Sequence, residues 1–88
     1  MLQIIRSNQF KKDYKKAIKQ GKDIELLKEV ITKLLNKEKL DKKYNDHKLG
    51  GKLKGCRDCH IESDFVLIYQ TTDEVLKLIR IGPHSELF

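Results

Sequence analysis

The sequence predicts one α+β domain: a small antiparallel β-sheet with an N-terminal helical hairpin packed on one face, in the order β-α-α-β-β-β. Three observations carry this. Apolar residues recur at helical spacing through two segments within the first 35 residues. Two runs rich in β-branched and aromatic residues, 65–70 and 75–81, lie close together near the C-terminus. An 88-residue chain with 39% hydrophobic content suffices for one small core, so residues 1–88 are a single domain.

The elements follow in order. LQIIR (2–6) is a short apolar run that reads as the first strand. Ser7 suits a helix N-cap, because its hydroxyl can accept an otherwise unpaired backbone N–H. Phe10, Tyr14, Ala17 and Ile18 then share one face of a helix. Gly21 ends it, since a residue without Cβ enters the left-handed cap at little cost. Asp23 opens a second helix whose buried stripe is Leu27, Val30, Ile31, Leu34 and Leu35. The pattern breaks down in NKEKLDKKYNDHKLGGKLKG, where Asn, Asp and Gly-Gly mark turns in a basic, irregular connection. Residues 57–62 are a weak third-strand candidate, and FVLIYQ (65–70) and VLKLIRI (75–81) are strong ones. Short connections between the last three imply an antiparallel meander.

The net charge of +6 is unevenly distributed. Residues 1–55 hold 16 Lys/Arg against 7 Asp/Glu, while residues 56–88 hold 3 against 6. Excess positive charge in a domain this small points to a polyanionic or acidic partner. Lys11, Lys15 and Lys19 form a band on the first helix, flanked by Lys12 and Lys16. Lys42, Lys43, Lys48, Lys52 and Lys54 extend the charge along the connection. No run approaches the ~18 apolar residues of a membrane span. The N-terminal apolar stretch is too short for a signal peptide. A cytoplasmic protein with no membrane partner and reduced cysteines is expected.

GCRDCH (55–60) contains a C-x-x-C-H string, which elsewhere marks haem attachment, zinc or a redox dithiol. On a strand, Cys56 and Cys59 are three apart and point to opposite faces. No second C-x-x-C supplies the rest of a zinc site. The cysteines read as packing residues, with Cys59 the buried one. His60 alternates onto the face of Asp58 and Glu62, just before a turn at Ser63 and Asp64.

The chain has three histidines: His47 in the connection, His60 on the first meander strand and His84 in the tail GPHSELF. The string runs Asp46-His47-Lys-Leu, then Gly55-Cys-Arg57-Asp-Cys-His60-Ile-Glu-Ser-Asp64-Phe, then Leu-Ile-Tyr69, then Arg80-Ile-Gly82-Pro-His84-Ser-Glu-Leu-Phe88. In this order and spacing it resembles the YafQ branch of the RelE-like bacterial toxins, mRNA-cleaving ribonucleases of type II toxin–antitoxin pairs. The resemblance implies a RelE-like fold and an active site at His47, His60, Asp64, His84 and Phe88, with Arg80 on the last strand. It leaves the cysteines outside the functional set. It also implies mRNA as substrate, the ribosome as the place of cleavage and a cognate antitoxin that blocks the site. One departure is Pro83, where the family more often has a small hydroxyl residue. Proline fixes φ and restricts Gly82 before it.

RNA cleavage without metal or cofactor needs a base for the ribose 2′-OH, an acid for the leaving oxygen and donors for the phosphate. Histidine suits both proton roles near neutral pH, and an arginine fork such as Arg80 suits the phosphate. By resemblance His84 is the general acid. Asp64 or His60 is expected as the base, His47 beside the phosphate, and Phe88 stacked on a base or ribose. Lys48, Lys52 and Lys54 are the expected RNA contacts flanking His47. Two other readings share these residues: a basic RNA-binding module without catalysis, and a metal site built from the histidines and Asp64.

Overall fold

The computed structural model describes residues 1–88. Strand β1 (Gln3–Arg6) leads into helices α1 (Asn8–Lys19) and α2 (Ile24–Leu35). The connection folds as two 3₁₀ turns, Lys42–Tyr44 and Gly51–Leu53, around a two-residue strand β2 (His47–Lys48). Strands β3 (Arg57–Glu62), β4 (Phe65–Thr71) and β5 (Val75–Gly82) form the meander, and a single turn of helix, α3 (His84–Leu87), follows. No helix is long and apolar enough to cross a membrane.

The α+β class and the β3-β4-β5 meander agree with expectation, but the sheet is mixed rather than wholly antiparallel. Its order is β1-β5-β4-β3-β2, and β1 lies parallel to β5. A parallel neighbour needs a long crossover. Here everything from α1 to β4 lies between the two strands, so no local pattern announces the pairing. The irregular connection also adds an edge strand, because His47 and Lys48 pair with Asp58 and Arg57.

Both caps form as the side chains dictate. Ser7 Oγ accepts from the Phe10 amide and Asp23 Oδ1 from the Leu26 amide. Gly21, at φ 73°, takes the left-handed position after α1. Leu27, Val30 and Leu34 of α2 are buried, with Ile31 and Leu35 packed at the margin of the core. In α1 one expectation fails. Ile18 is 52% exposed, and the buried polar residue of that helix is Asp13.

The reason lies in β5. Its pairing with β1 reaches Leu78, and beyond that point α1 closes the edge. Ser7 Oγ donates to the Ile79 carbonyl at 2.6 Å, and the Ile81 amide donates to Asp13 Oδ2 at 3.2 Å. The side chains of Ser7, which caps α1, and of Asp13 within it thus pair backbone groups that would otherwise lack partners.

The helix-facing side of the sheet carries Cys59, Ile61, Phe65, Leu67, Tyr69, Leu76, Leu78 and Ile81, all in one cluster with Phe10, Leu27 and Val30. Leu78 and Ile81 are three apart, yet both enter it, because a register shift between Ile68 and Tyr69 of β4 inserts an extra β5 residue. On the opposite face, cross-strand partners form two rows. One runs His47, Asp58, Ile68, Arg80; the other runs His60, Val66, Gly82. Directly opposed residues share a face, so pairing alone gathers two of the three histidines.

Candidate active site

His60 stands between the other two imidazoles. Its ring centroid is 6.4 Å from that of His47 and 6.3 Å from that of His84. Phe88 follows at 4.6 Å from His84 and is 53% exposed. It therefore continues the row of rings instead of sealing the tail into the core. The row stands on an open face, and none of the main cavities includes a histidine.

His47 owes its place to Asp46. Asp46 Oδ1 accepts from Arg57 Nε at 3.0 Å and from the Tyr69 hydroxyl at 2.7 Å. These bonds tie the connection to β3 and β4. The phenol of Tyr69 is pushed well above its usual range by burial and by that carboxylate, so it remains a donor. Asn45, with φ 48°, turns the chain immediately before; asparagine tolerates that region better than most residues.

His60 sits before a register shift that separates it from Glu62. Strand alternation puts Asp58, His60 and Glu62 on one face, but the shift sends Glu62 away. Its carboxylate lies 3.5 Å from the Asp23 amide nitrogen at the start of α2. Asp58 stays with His60 and is 1% exposed.

Asp64 occupies the hairpin turn at φ 52° and accepts the His84 backbone N–H on Oδ1 at 2.9 Å. It is close to the cluster, engaged in holding the tail. Pro83 is extended, with φ −71° and ψ 153°, and directs His84 toward Asp64.

Arg80 is also engaged. Its Nε and Nη2 donate to the two oxygens of Asp13, each at 3.1 Å, and Nη1 donates to the Glu86 carbonyl at 3.3 Å. Burial alone would raise the Asp13 carboxyl. The bonds from Arg80, Gln9 and the Ile81 amide outweigh it and hold the group below its ordinary value. Lys16 fixes the tail further through a 2.7 Å ion pair with Glu86. Lys48, Lys52 and Lys54 are exposed around β2 and the second 3₁₀ turn.

Both cysteines are free. Cys59 is buried, and desolvation pushes its thiol up to about 12, so it is no thiolate nucleophile. The histidine rings also lack the arrangement of a preformed metal site. Three imidazoles around one ion at ~2.0–2.1 Å from each nitrogen would have ring centroids about 5 Å apart, against 6.4 and 6.3 Å. No cluster of three His, Cys, Asp or Glu side chains has ligand geometry.

Asp13, Asp46 and Asp58 escaped sequence reasoning. Each is a carboxylate buried or half-buried by partners distant in the chain. Asp46, next to His47, and Asp58, within GCRDCH, lay in strings already singled out, but without a role; Asp13 did not.

Comparison with known proteins agrees with this architecture. The model of the family described as the bacterial toxin of type II toxin–antitoxin system, YafQ, matches residues 2–88. The mRNA interferase toxin YafQ of Escherichia coli K12 is 46% identical over 83 residues, covering 93% of this chain and 90% of that protein. The crystal structure of the E. coli DinJ–YafQ toxin–antitoxin complex superposes with TM-score 0.91 at 44% identity, over 99% of this chain and 97% of that one. A copper-bound mutant toxin from Helicobacter pylori superposes with TM-score 0.96 at 45% identity over the whole of both chains. The chain with this row of histidines therefore belongs to the YafQ family of type II toxin–antitoxin toxins.

Proposed function

We propose that the protein is a metal-independent endoribonuclease that cleaves mRNA by general acid–base catalysis, with the ribosome as the site of action. The observation that carries this is the row of three imidazoles with His60 in the middle. In-line transesterification places the attacking 2′-oxygen and the leaving 5′-oxygen on opposite sides of phosphorus. A phosphate near His60 would have one imidazole toward each of them. His84 acts as the acid. Asp64, engaged by the His84 amide, holds that acid in place, and the proton acceptor is one of the other two imidazoles. Phe88 offers a ring on which a base can stack. Lys48, Lys52 and Lys54 line the approach of the RNA strand, a contact that weakens with salt. The interferase named in E. coli supports the substrate class.

A ribonuclease of this kind needs a restraint. The DinJ–YafQ complex supports a cognate antitoxin that blocks the site. An apolar groove of about 550 Å³ between β1, α1 and α2, bordered by Arg6, Lys11, Lys15 and Lys28, suits an acidic amphipathic segment of that partner. Ile4, 41% exposed on β1, lines it.

The deciding experiment incubates the purified protein with mRNA, alone and with translating ribosomes. Cuts leaving 2′,3′-cyclic phosphate and 5′-hydroxyl ends are expected, unchanged by EDTA. RNA binding with no cuts in either setting would mark a binding module. The rate should follow a bell-shaped pH profile, because one group must be deprotonated and another protonated. A rate rising without a maximum from about pH 5 to 9 would contradict two titrating partners.

A further inference from the structure

The last turn of the chain is held mainly by polar ties. α3 has no side-chain cap from Pro83 and no buried residue. Two bonds close it: the Glu86 amide donates to the Pro83 carbonyl at 3.0 Å, and the Phe88 amide to the His84 carbonyl at 3.2 Å. A turn this short does not hold itself in water, because the entropy of fixing its backbone outweighs so few bonds. Three polar ties join it to the rest of the protein. One is at its start, where the His84 amide donates to Asp64 Oδ1. The other two end on Glu86. Arg80 Nη1 donates to its carbonyl at 3.3 Å, and Lys16 Nζ to its Oε1 at 2.7 Å.

Both ties on Glu86 lead back to α1. Asp13 and Lys16 are three residues apart, so they share one side of that helix. Asp13 holds the Arg80 fork and the Ile81 amide, which fixes this side against β5. Lys16 is thereby set beside the tail. Of the five lysines on α1 it is the one in an ion pair, so it serves the tail rather than an incoming strand. Glu86 in turn needs a cation. A bare carboxylate two residues from Phe88 would repel the phosphates of an RNA stacked there. Neutralised by Lys16, it can anchor the turn without that repulsion.

We propose that Glu86 is a positioning residue: clasped by Arg80 at its carbonyl and by Lys16 at its carboxylate, it sets the terminal turn so that the rings of His84 and Phe88 stand beside His60. This rests on the endoribonuclease reading and deepens it, since it makes turnover depend on a lysine of α1 that meets the tail. The clasp acts on the fraction of molecules in which the turn is docked. An exposed ion pair shifts such an equilibrium by up to about fivefold.

Lys16→Met and Glu86→Gln each remove the ion pair and leave the Arg80 bond to the Glu86 carbonyl in place. Each should lower kcat on mRNA about three- to fivefold, the range an exposed pair supplies. Tm should stay within about 2 °C of wild type, because a frayed terminal turn leaves global unfolding unchanged. Both side chains are largely exposed, so neither variant disturbs the core. Lys16→Met alone should also raise KM about twofold, since it bares the carboxylate. The double variant should match Glu86→Gln in both constants, the non-additivity of partners in one interaction. Without substrate, ¹⁵N relaxation of the Glu86, Leu87 and Phe88 amides should show the turn loosened in all three variants. Wild-type kcat in Glu86→Gln would overturn the positioning role and leave Glu86 a mere surface charge. A double variant that loses the product of the two single effects would also overturn it, making Lys16 an RNA contact of its own. If the wild type cuts no RNA, the endoribonuclease reading fails, while the amide relaxation still decides whether the clasp holds the turn.

Discussion

His84→Ala is expected to lower the cleavage rate by about 10²–10⁴-fold, the range a positioned proton donor contributes, or about 3–5 kcal/mol of barrier. RNA affinity should change by less than about threefold, because a group acting on the leaving oxygen contributes mainly in the transition state. The fold should be unaffected. His84 is exposed, and its link to Asp64 runs through the backbone amide, which alanine retains. Thermal unfolding and RNA binding measured beside cleavage separate these effects. On expression in a bacterial host, wild type should arrest growth and His84→Ala should not. A variant that loses RNA affinity in step with cleavage would make His84 a binding residue.

The second large effect is one of stability. Arg80→Ala leaves Asp13 buried with only the Gln9 side chain and the Ile81 amide as donors. Breaking a buried ion pair by removing one partner costs about 3–5 kcal/mol. Arg80 is 31% exposed and Asp13 7%, so solvent screening reduces this to about 2–3 kcal/mol. For a domain of this size that lowers Tm by roughly 10–20 °C. If Arg80 served only as a phosphate ligand, Tm would stay put and cleavage alone would suffer. Loss of both is expected, since the same guanidinium holds the Glu86 carbonyl and with it the tail bearing His84.

The pH dependence supplies a sign. Asp13 has its folded value depressed below the ordinary 3.8. The stability it provides is thus full above the unfolded value and is lost as pH falls through the folded one. Asp13→Asn should flatten the acid limb of the stability curve, measurable by urea unfolding between about pH 2 and 6.

These two predictions differ in how far the sequence reached. His84, His60, His47, Asp64 and Phe88 stand in short strings whose order and spacing resemble a known toxin branch, so they could be nominated from the chain alone. Arg80 could be nominated in the same way, yet its partner could not. Asp13 sits on α1 where helical periodicity favoured Ile18 for burial. Periodicity marks apolar stripes and says nothing of a carboxylate that closes a strand edge 68 residues away. Asp58 shows the same gap. Alternation put it on the histidine face, but its burial and its contact with His47 depend on a two-residue strand in a segment rich in turn formers.

The sequence by itself determined the two helices and their caps, the meander, the packing role of Cys59, and which histidines to suspect. All of these rest on local rules: periodicity, capping chemistry, β-propensity and motif spacing act over a few residues. Only the tertiary structure decided that β1 lies parallel to β5, that α1 seals the end of β5, that the imidazoles stand about 6 Å apart, and that Asp46 and Asp13 anchor the segments around them. The physical reason is common to all of these. Each depends on pairing between segments distant in the chain, where burial and strand register, rather than local propensity, fix what a side chain meets.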